Sequence, residues 1–519
     1  MTATQRRAAV ETTLVRAAAI TMIVTLSGSV LGLVRDLLLA RFFGATGGTD
    51  AFLVSWTVPE TAFTLVVEGA MSFLMIPLFS RALAQARPGE ALDATRAVVA
   101  ATLPRIAVAL AVAAAAVAAG APLLVRLLAP GLAERQLAVA CTRLTAVTVL
   151  TFGLAGYLSA ALRAAHVFGA PATIHIAYNV GIISLMWTLH GRLGVVSAAA
   201  GVALGSAFMV VAQLPSYLRH VGLPRRWRLV GSAVTLGAFA PLAGYTLARQ
   251  AQVFVERAYG SALAPGTISH LNYAQKLAQM PMLVALLVCT VTFPALARSV
   301  AAGDTAGARR RLEADLRAVV ALIFVAVAYL IAFAPVLVGV LLRHGRFTAL
   351  DAAATASIVR VYALGLIGHA LVGVLSRAYF TGERRTWYPA LAMGAGLAVT
   401  AVLAAVLLPA LHAYAIAAAN GIGITTTAVL LLAGLRTRLV AVSLPTLAGA
   451  AGRLGAAATG AGLLGWLAAT AMAGWPPALS VVAGGVVVLA AFAALAHLCG
   501  VDEVARLASH LNRRVRHGN

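Results

Sequence analysis

Apolar runs, each about long enough to cross a bilayer, follow one another from residue 15 to residue 499, and no other feature of the chain limits its fold so strongly. A hydrocarbon core of about 30 Å takes roughly 20 residues of α-helix. Lipid offers the backbone no hydrogen bonds, so each crossing must satisfy its own N–H and C=O groups. Spans are predicted at 15–40, 50–80, 95–120, 136–164, 170–189, 194–218, 229–257, 265–297, 316–342, 352–378, 386–409, 412–434, 445–472 and 476–499, which makes an all-α polytopic membrane protein of about 14 transmembrane helices. The first run follows Arg6 and Arg7, has the length of a span and carries no small-residue cleavage site, so it reads as a retained helix.

Composition agrees. The chain is 61% hydrophobic and 11% charged, against about 45–50% and about 25% in soluble domains, which excludes a soluble enzyme. Its formal charge of +23 resembles that of a nucleic-acid binder, but the hydropathy removes that reading and no nucleic-acid partner is expected. Excess Arg in a polytopic protein marks cytoplasmic loops and contact with anionic membrane lipids. With the N-terminus inside, the inner segments hold Arg6 and Arg7; Arg81, Arg87 and Arg96; Arg163; Arg219, Arg225, Arg226 and Arg228; Arg298, Arg309, Arg310 and Arg311; Arg377, Arg384 and Arg385; Arg436 and Arg438; and Arg506, Arg513, Arg514 and Arg516. The outer loops keep Arg41, Arg126, Arg135, Arg192, Arg257, Arg343 and Arg346. An even number of spans with both termini cytoplasmic follows. Cys141, Cys289 and Cys499 lie far apart without CxxC spacing, so they read as small buried hydrophobes.

A weak parallel repeat divides the chain. ARFFG (40–44) and the helix ending IPLFSRALAQARPGE (76–90) resemble ERAYG (256–260) and the helix ending FPALARSVAAGDTAG (293–307); ALRAAHVFGAP (161–171) resembles LSRAYFTGERR (375–385). Three matches in order at an offset of about 215 predict two six-helix lobes in parallel repeat plus two C-terminal helices. The domain expectation is 1–222 for spans 1–6, 223–438 for spans 7–12, 439–500 for the final two spans and 501–519 for a cytoplasmic tail. Parallel repeats about an axis along the membrane normal are a transporter architecture, with substrate held near the midplane.

Ionisable groups inside a membrane cost roughly 2.5–3.5 kcal/mol each on insertion scales, so those present should face a cavity or pair with one another. Arg35 and Asp36 lie toward the outer part of span 1; Asp50 begins span 2, with Glu60 and Glu68 well inside it. Snorkelling or a local ion pair also accounts for the charges near a boundary. Span 7 carries Arg249, Glu256 and Arg257, and span 8 carries Lys276, the single lysine of the chain. Arg35, Lys276, Arg257 and Arg249 are therefore candidate ligands for an anionic headgroup, and Asp36, Asp50, Glu60, Glu68 and Glu256 candidate gating or charge-pair residues. Helix-end placement or pairing with Glu256 is the plainer account of Lys276. No catalytic residue, metal site or cofactor is expected: Asp and Glu total 16, no acidic ladder occurs and no GxxxxGK[ST] loop is present. Transport energy would come from an ion gradient, the membrane potential or consumption of the product.

The segment SGSVLGLVRDLLLARFFGATGGTDAFLVSWTVPE (27–60), with EGAMSFLMIPLFS (68–80), resembles the opening of the MurJ/MviN family of lipid II flippases, within the multidrug/oligosaccharidyl-lipid/polysaccharide exporter superfamily. The resemblance continues through FGAPATIHIAYNVG (168–181), VAQLPSYLRHVGLP (211–224), VERAYGSALAPGTISHLNYAQKLAQMP (255–281), LLRHGRFTALDA (341–352) and VYALGLIG (361–368). It implies 14 helices in two lobes plus a final pair, a central cationic cavity for the substrate's diphosphate and sugars, and a groove for its lipid tail formed partly by the last two helices. Arg35 and Asp36 match the family's RD pair, Asp50 its TDAF aspartate, and Glu68 with Gly69 its EG; Lys276 falls where the family commonly has a cavity arginine. Ser29 and Phe63 stand where the family places basic residues. The implied activity is transfer of lipid II, or a closely related polyprenyl-diphosphate-linked glycan precursor, from the inner to the outer leaflet of a bacterial cytoplasmic membrane for peptidoglycan synthesis. A monomer acting by alternating access is expected, with membrane lipids and other cell-wall synthesis proteins as partners. Two alternatives stay open: an ion-coupled drug or small-solute antiporter of the same superfamily, which would use Asp36 or Glu68, and a non-transporting scaffold.

Overall fold

The computed structural model describes residues 24, 26–87, 89–224, 240–302, 304–380, 386–438 and 442–500. Arg6, Arg7, Arg225, Arg226, Arg228, Arg384, Arg385 and the tail 501–519 lie outside the described residues, as do the side chains of Glu68 and Cys289. Among the described residues the regular elements are helices: α1 (26–43), α2 (Gly47–Ala62), a π-helical stretch (Phe63–Met71), α3 (Ser72–Gln85), α4 (Ala91–Ala119), α5 (Ala121–Leu128), α6 (Arg135–Thr145), α7 (Val147–Ala164), α8 (Gly169–Ala172), α9 (Ile174–Leu193), α10 (Val196–His220), α11 (Ala240–Gly260), α12 (Thr267–Ala301), α13 (Thr305–Leu342), α14 (Ala349–Phe380), α15 (Tyr388–Leu411), α16 (Ala413–Arg438), α17 (Leu444–Ala471) and α18 (Pro477–Leu498). Eleven helical segments among the described residues are long and apolar enough to cross a membrane.

The helix order repeats at the offset read from sequence. The starts of α4, α6 and α9 are each followed 214 residues later by those of α13, α14 and α15, and the start of α10 is followed 217 later by that of α16. Even the turn between the third and fourth members recurs. Gly194 closes α9 at φ 55°, ψ −141°, and His412 closes α15 at φ 47°, ψ −126°. That region suits glycine, so His412 holds the turn at a local cost of order 1–3 kcal/mol.

The chain forms two compact units, Met1–Gln250 with Ala264–Gly266, and Ala251–Leu263 with Thr267–Asn519. In the first, α9 and α10 pack so closely that a Cβ on Gly181 would collide with the backbone of Gly205; small residues at helix contacts are how membrane helices gain van der Waals packing without a hydrophobic driving force. Its core gathers Met75, Phe79, Val99, Tyr157 and Tyr217, and the buried Tyr157 hydroxyl is satisfied by Thr102 at 2.7 Å. In the second unit a Cβ on Gly365 would stand 2.6 Å from Gly421, which fixes the α14–α16 approach. There α17 and α18 pack on α13 around the fully buried Phe333, with Leu454, Val488 and Phe492, and the Tyr329 hydroxyl donates to the Val481 carbonyl at 3.0 Å. Pro335 has no N–H for the carbonyl of Ile331, one turn earlier in α13; Arg360 Nε donates to that carbonyl at 3.0 Å instead.

Candidate functional site

Each unit holds a polar cluster built on helices that are otherwise apolar. In the first unit Arg35, on α1, gives Nε and Nη2 to Asp36 Oδ1 at 3.1 and 2.9 Å, and Nη1 to Asn179 Oδ1, on α9, at 3.0 Å. The guanidinium carbon lies 4.2 Å from the ring centre of Trp56 on α2, a cation–π geometry. Trp56 is itself held, its Nε1 donating to the Tyr178 hydroxyl at 3.1 Å. Asn179 is oriented by its other end, with Nδ2 donating to the carbonyls of Gly28 and His175 at 3.1 and 2.9 Å. Arg35 is thus fixed by a carboxylate, an amide and an aromatic face, while its side chain stays 12% exposed. An arginine so placed keeps N–H groups for a further oxyanion, at a fixed position and with little entropy left to lose.

Asp50 does other work. It sits in the first turn of α2, whose N-cap is Thr46, and its Oδ2 accepts the Gly266 backbone N–H at 2.6 Å. The loop 264–266 is thereby fastened to α2 within the first unit. Glu60 lies one turn beyond Trp56 and is exposed. Glu68 falls in the π-helical stretch Phe63–Met71. Such a stretch breaks the regular ladder and is frequent at functional sites.

In the second unit Glu256, on α11, is 1% exposed and accepts from Gln275 Nε2 at 3.0 Å and from Asn420 Nδ2 at 2.8 Å. Because Asn420 donates through Nδ2, its Oδ1 faces His369 Nε2 at 3.0 Å and accepts that N–H. Arg257, 4% exposed, gives Nη2 to Asn272 Oδ1 at 2.9 Å and Nη1 to the Ile268 carbonyl at 3.4 Å. Lys276 follows Gln275 on α12, one turn past Asn272, and is half-buried. Arg249 is exposed on α11, two turns before Glu256 and in the first unit.

The structure therefore brings Arg35 together with Asp36, and Glu256 and Arg257 into contact with the same stretch of α12; Glu60 lies beside the first group, one turn along α2 from Trp56, and Asp50 and Arg249 stand apart from both. It also adds residues the sequence reading passed over, namely Trp56, Asn179, Asn272, Gln275 and Asn420. Asparagine and glutamine inside apolar helices were the available signal. Among the described residues no three His, Cys, Asp or Glu side chains gather as metal ligands.

The family model described as "Lipid II flippase MurJ" matches residues 39–484. A lipid II flippase MurJ of Burkholderia cenocepacia is 29% identical over 428 residues, covering 80% of this chain and 82% of the relative. A probable lipid II flippase MurJ of Rhizobium meliloti is 25% identical over 425 residues, covering 79% and 78%. Among solved structures, a lipid II flippase MurJ in an inward closed conformation superposes with a TM-score of 0.75 at 19% identity, covering 92% of this chain and 98% of that one. An inward-facing multidrug resistance MATE family transporter of the MOP superfamily superposes at 0.63 with 14% identity, covering 80% and 97%. Both structural likenesses concern the fold.

Proposed function

The chain belongs to the MurJ lipid II flippase family, and from that premise we propose that it translocates lipid II, or a closely related polyprenyl-diphosphate-linked glycan precursor, for peptidoglycan synthesis. The observation that carries the reading is the family match over residues 39–484. The pinned Arg35 gives it a chemical anchor. A diphosphate presents adjacent oxyanions, and a guanidinium held by Asp36, Asn179 and Trp56 meets them at a fixed place. Lys276, in the second unit, is a compact charge of the kind that suits phosphate. Arg257, buried and bonded to Asn272 and Ile268, serves as scaffold together with Glu256, and Asp50 holds the 264–266 loop. The loop bias of arginine supports both termini on the cytoplasmic side of a bacterial inner membrane, with carriage from the inner to the outer leaflet by alternating access.

Rescue tests this reading. Cells depleted of their own lipid II flippase should resume growth when this protein is expressed, and purified protein in vesicles should expose labelled lipid II to an outer-leaflet probe. Normal membrane expression without rescue or flipping, alongside uptake of a cationic dye driven by a pH or sodium gradient, would transfer the assignment to the antiporter reading.

A further inference from the structure

A chain of aromatic rings runs from Arg35 to His175 within the first unit. Trp56, the ring under the guanidinium, is held by Tyr178, and Tyr178 meets Phe152 edge-on at 5.5 Å. Phe63, the first residue of the π-helical stretch, follows, with its ring centre 5.3 Å from Phe152 and 5.6 Å from His175. Trp56 and Phe152 are sealed, at 7% and 1% exposed, whereas Phe63 and His175 close the chain half-buried.

Both end rings are fixed in place. A Cβ on Gly28 would stand 2.6 Å from His175 Cβ, so the backbone of α1 lies against the base of the imidazole. Phe63 is seated on the buried cluster that includes Val67, Phe152 and Met209. Packing accounts for a phenylalanine, but an imidazole carries two nitrogens that seek hydrogen bonds. Among the described residues neither ring nitrogen of His175 has a hydrogen-bond partner, and neither is sealed from solvent. His175 lies one turn before Asn179 on α9, about 6 Å along the axis, and Phe63 two turns past Trp56, so the pair stands about one sugar ring away from the Arg35 edge. Glu60 is exposed between Trp56 and Phe63, and Arg163, whose charge His175 senses, is engaged within the protein. An oxyanion beside Phe63 would meet the Glu60 carboxylate. A neutral hydroxylated ring avoids that repulsion, lays its C–H groups on the negative face of Phe63 and hydrogen-bonds to the imidazole nitrogens.

We propose that Phe63 and His175 form a sugar subsite beside Arg35: with the diphosphate on the guanidinium, the first sugar of the lipid-linked glycan stacks on Phe63 and hydrogen-bonds to His175. The subsite rests on the flippase reading above and adds to it the means by which a glycan-bearing lipid is told from the bare polyprenyl diphosphate. A site that hydrogen-bonds a hydroxyl discriminates against the ligand that lacks it.

Full-length protein purified in detergent and exposed to equimolar lipid II and undecaprenyl diphosphate tests this by native mass spectrometry. The wild type should retain lipid II in preference. Phe63→Leu should cut that preference about fivefold by removing the stacking face. His175→Phe keeps a ring against Phe63 and removes the nitrogens, and should cut it by a similar factor. Phe63→Tyr should keep it. Undecaprenyl diphosphate, bound through Arg35 in every variant, reports that the fold is intact. Equal retention of the two lipids by wild type overturns the proposal, as does unchanged preference in Phe63→Leu or His175→Phe. Loss of both lipids in equal measure in those two variants would make the rings a packing element and equally overturn it. Retention of neither lipid by wild type would instead sink the flippase reading, whereas equal retention of both leaves that reading standing and removes the sugar subsite alone.

Discussion

The two polar clusters differ in what their charges are left to do. In the first unit the Arg35–Asp36 pair keeps a partly exposed edge, and the nearby Glu60 is exposed. In the second unit Glu256, Arg257 and Asn420 are 1%, 4% and 1% exposed; Glu256 accepts from Asn420 and Arg257 donates to Asn272, while Arg257 Nε and Asn272 Nδ2 are buried without a hydrogen-bond partner. A charge that is fully wrapped has surrendered its field to the fold. One that is pinned but open can still act on a ligand. In the function proposed above the first cluster binds substrate and the second holds helices α11, α12 and α16 in register, and substitutions should separate the two roles.

The largest effect is expected from Glu256→Ala. It strips acceptors from Gln275 and Asn420 and removes a negative charge beside Arg257, and breaking a buried charged network from one side costs about 3–5 kcal/mol. The measurement is thermal unfolding in detergent, with transport lost only in proportion to folded protein. A variant of wild-type stability that nevertheless fails to flip would reverse the contrast and make the buried cluster functional.

Arg35→Ala comes next and should behave in the opposite way. Loss of a charge-assisted contact of about 1.5–3 kcal/mol lowers lipid II flipping about ten- to a hundredfold, while the protein still elutes as a folded species. Arg35→Lys should recover little, because an ammonium cannot reproduce the geometry that Asp36 and Asn179 impose. Full activity of Arg35→Ala in the vesicle assay would remove Arg35 from the site.

Asn179→Leu should mix the two kinds of effect at a smaller cost, about 1–2 kcal/mol, since it frees Nη1 of Arg35 and leaves the Gly28 and His175 carbonyls without its amide. Its diagnostic is a split: KM for lipid II rises when Arg35 is misplaced, whereas a purely structural loss lowers the folded fraction and leaves KM alone.

Asn179 also marks where the sequence stops being legible. The helical fold was readable because every crossing needs about 20 apolar residues, and the repeat because homologous helices keep their spacing. Ionised residues stand out against such a background, so Arg35, Asp36, Glu256 and Arg257 were found. Their partners were not, because Asn179 and Asn420 carry no charge and lie 144 and 164 residues away from the groups they hold. The π-helical stretch Phe63–Met71 has no period that a helical reading separates from α-helix. Glu60, read as well inside span 2, is exposed, since the face on which a residue falls depends on neighbours the sequence does not name.

Glu60→Gln should give the smallest effect and the finest test of the contrast. The residue is exposed, so stability should change by no more than about 0.5 kcal/mol. Its influence on an anionic substrate is then purely electrostatic. One turn along α2 from Trp56, its carboxylate opposes the approach of a diphosphate to Arg35, and neutralising it should lower KM by about twofold at low salt. Screening over about 8–10 Å at physiological ionic strength and less at higher salt should erase that gain as salt is raised. A loss of activity in Glu60→Gln that persists at high salt would mean that the carboxylate makes a direct contact with substrate or cation. The first cluster would then hold a working anion as well as a working cation, and the division between an open cationic edge and a buried structural network would have to be redrawn around Glu60.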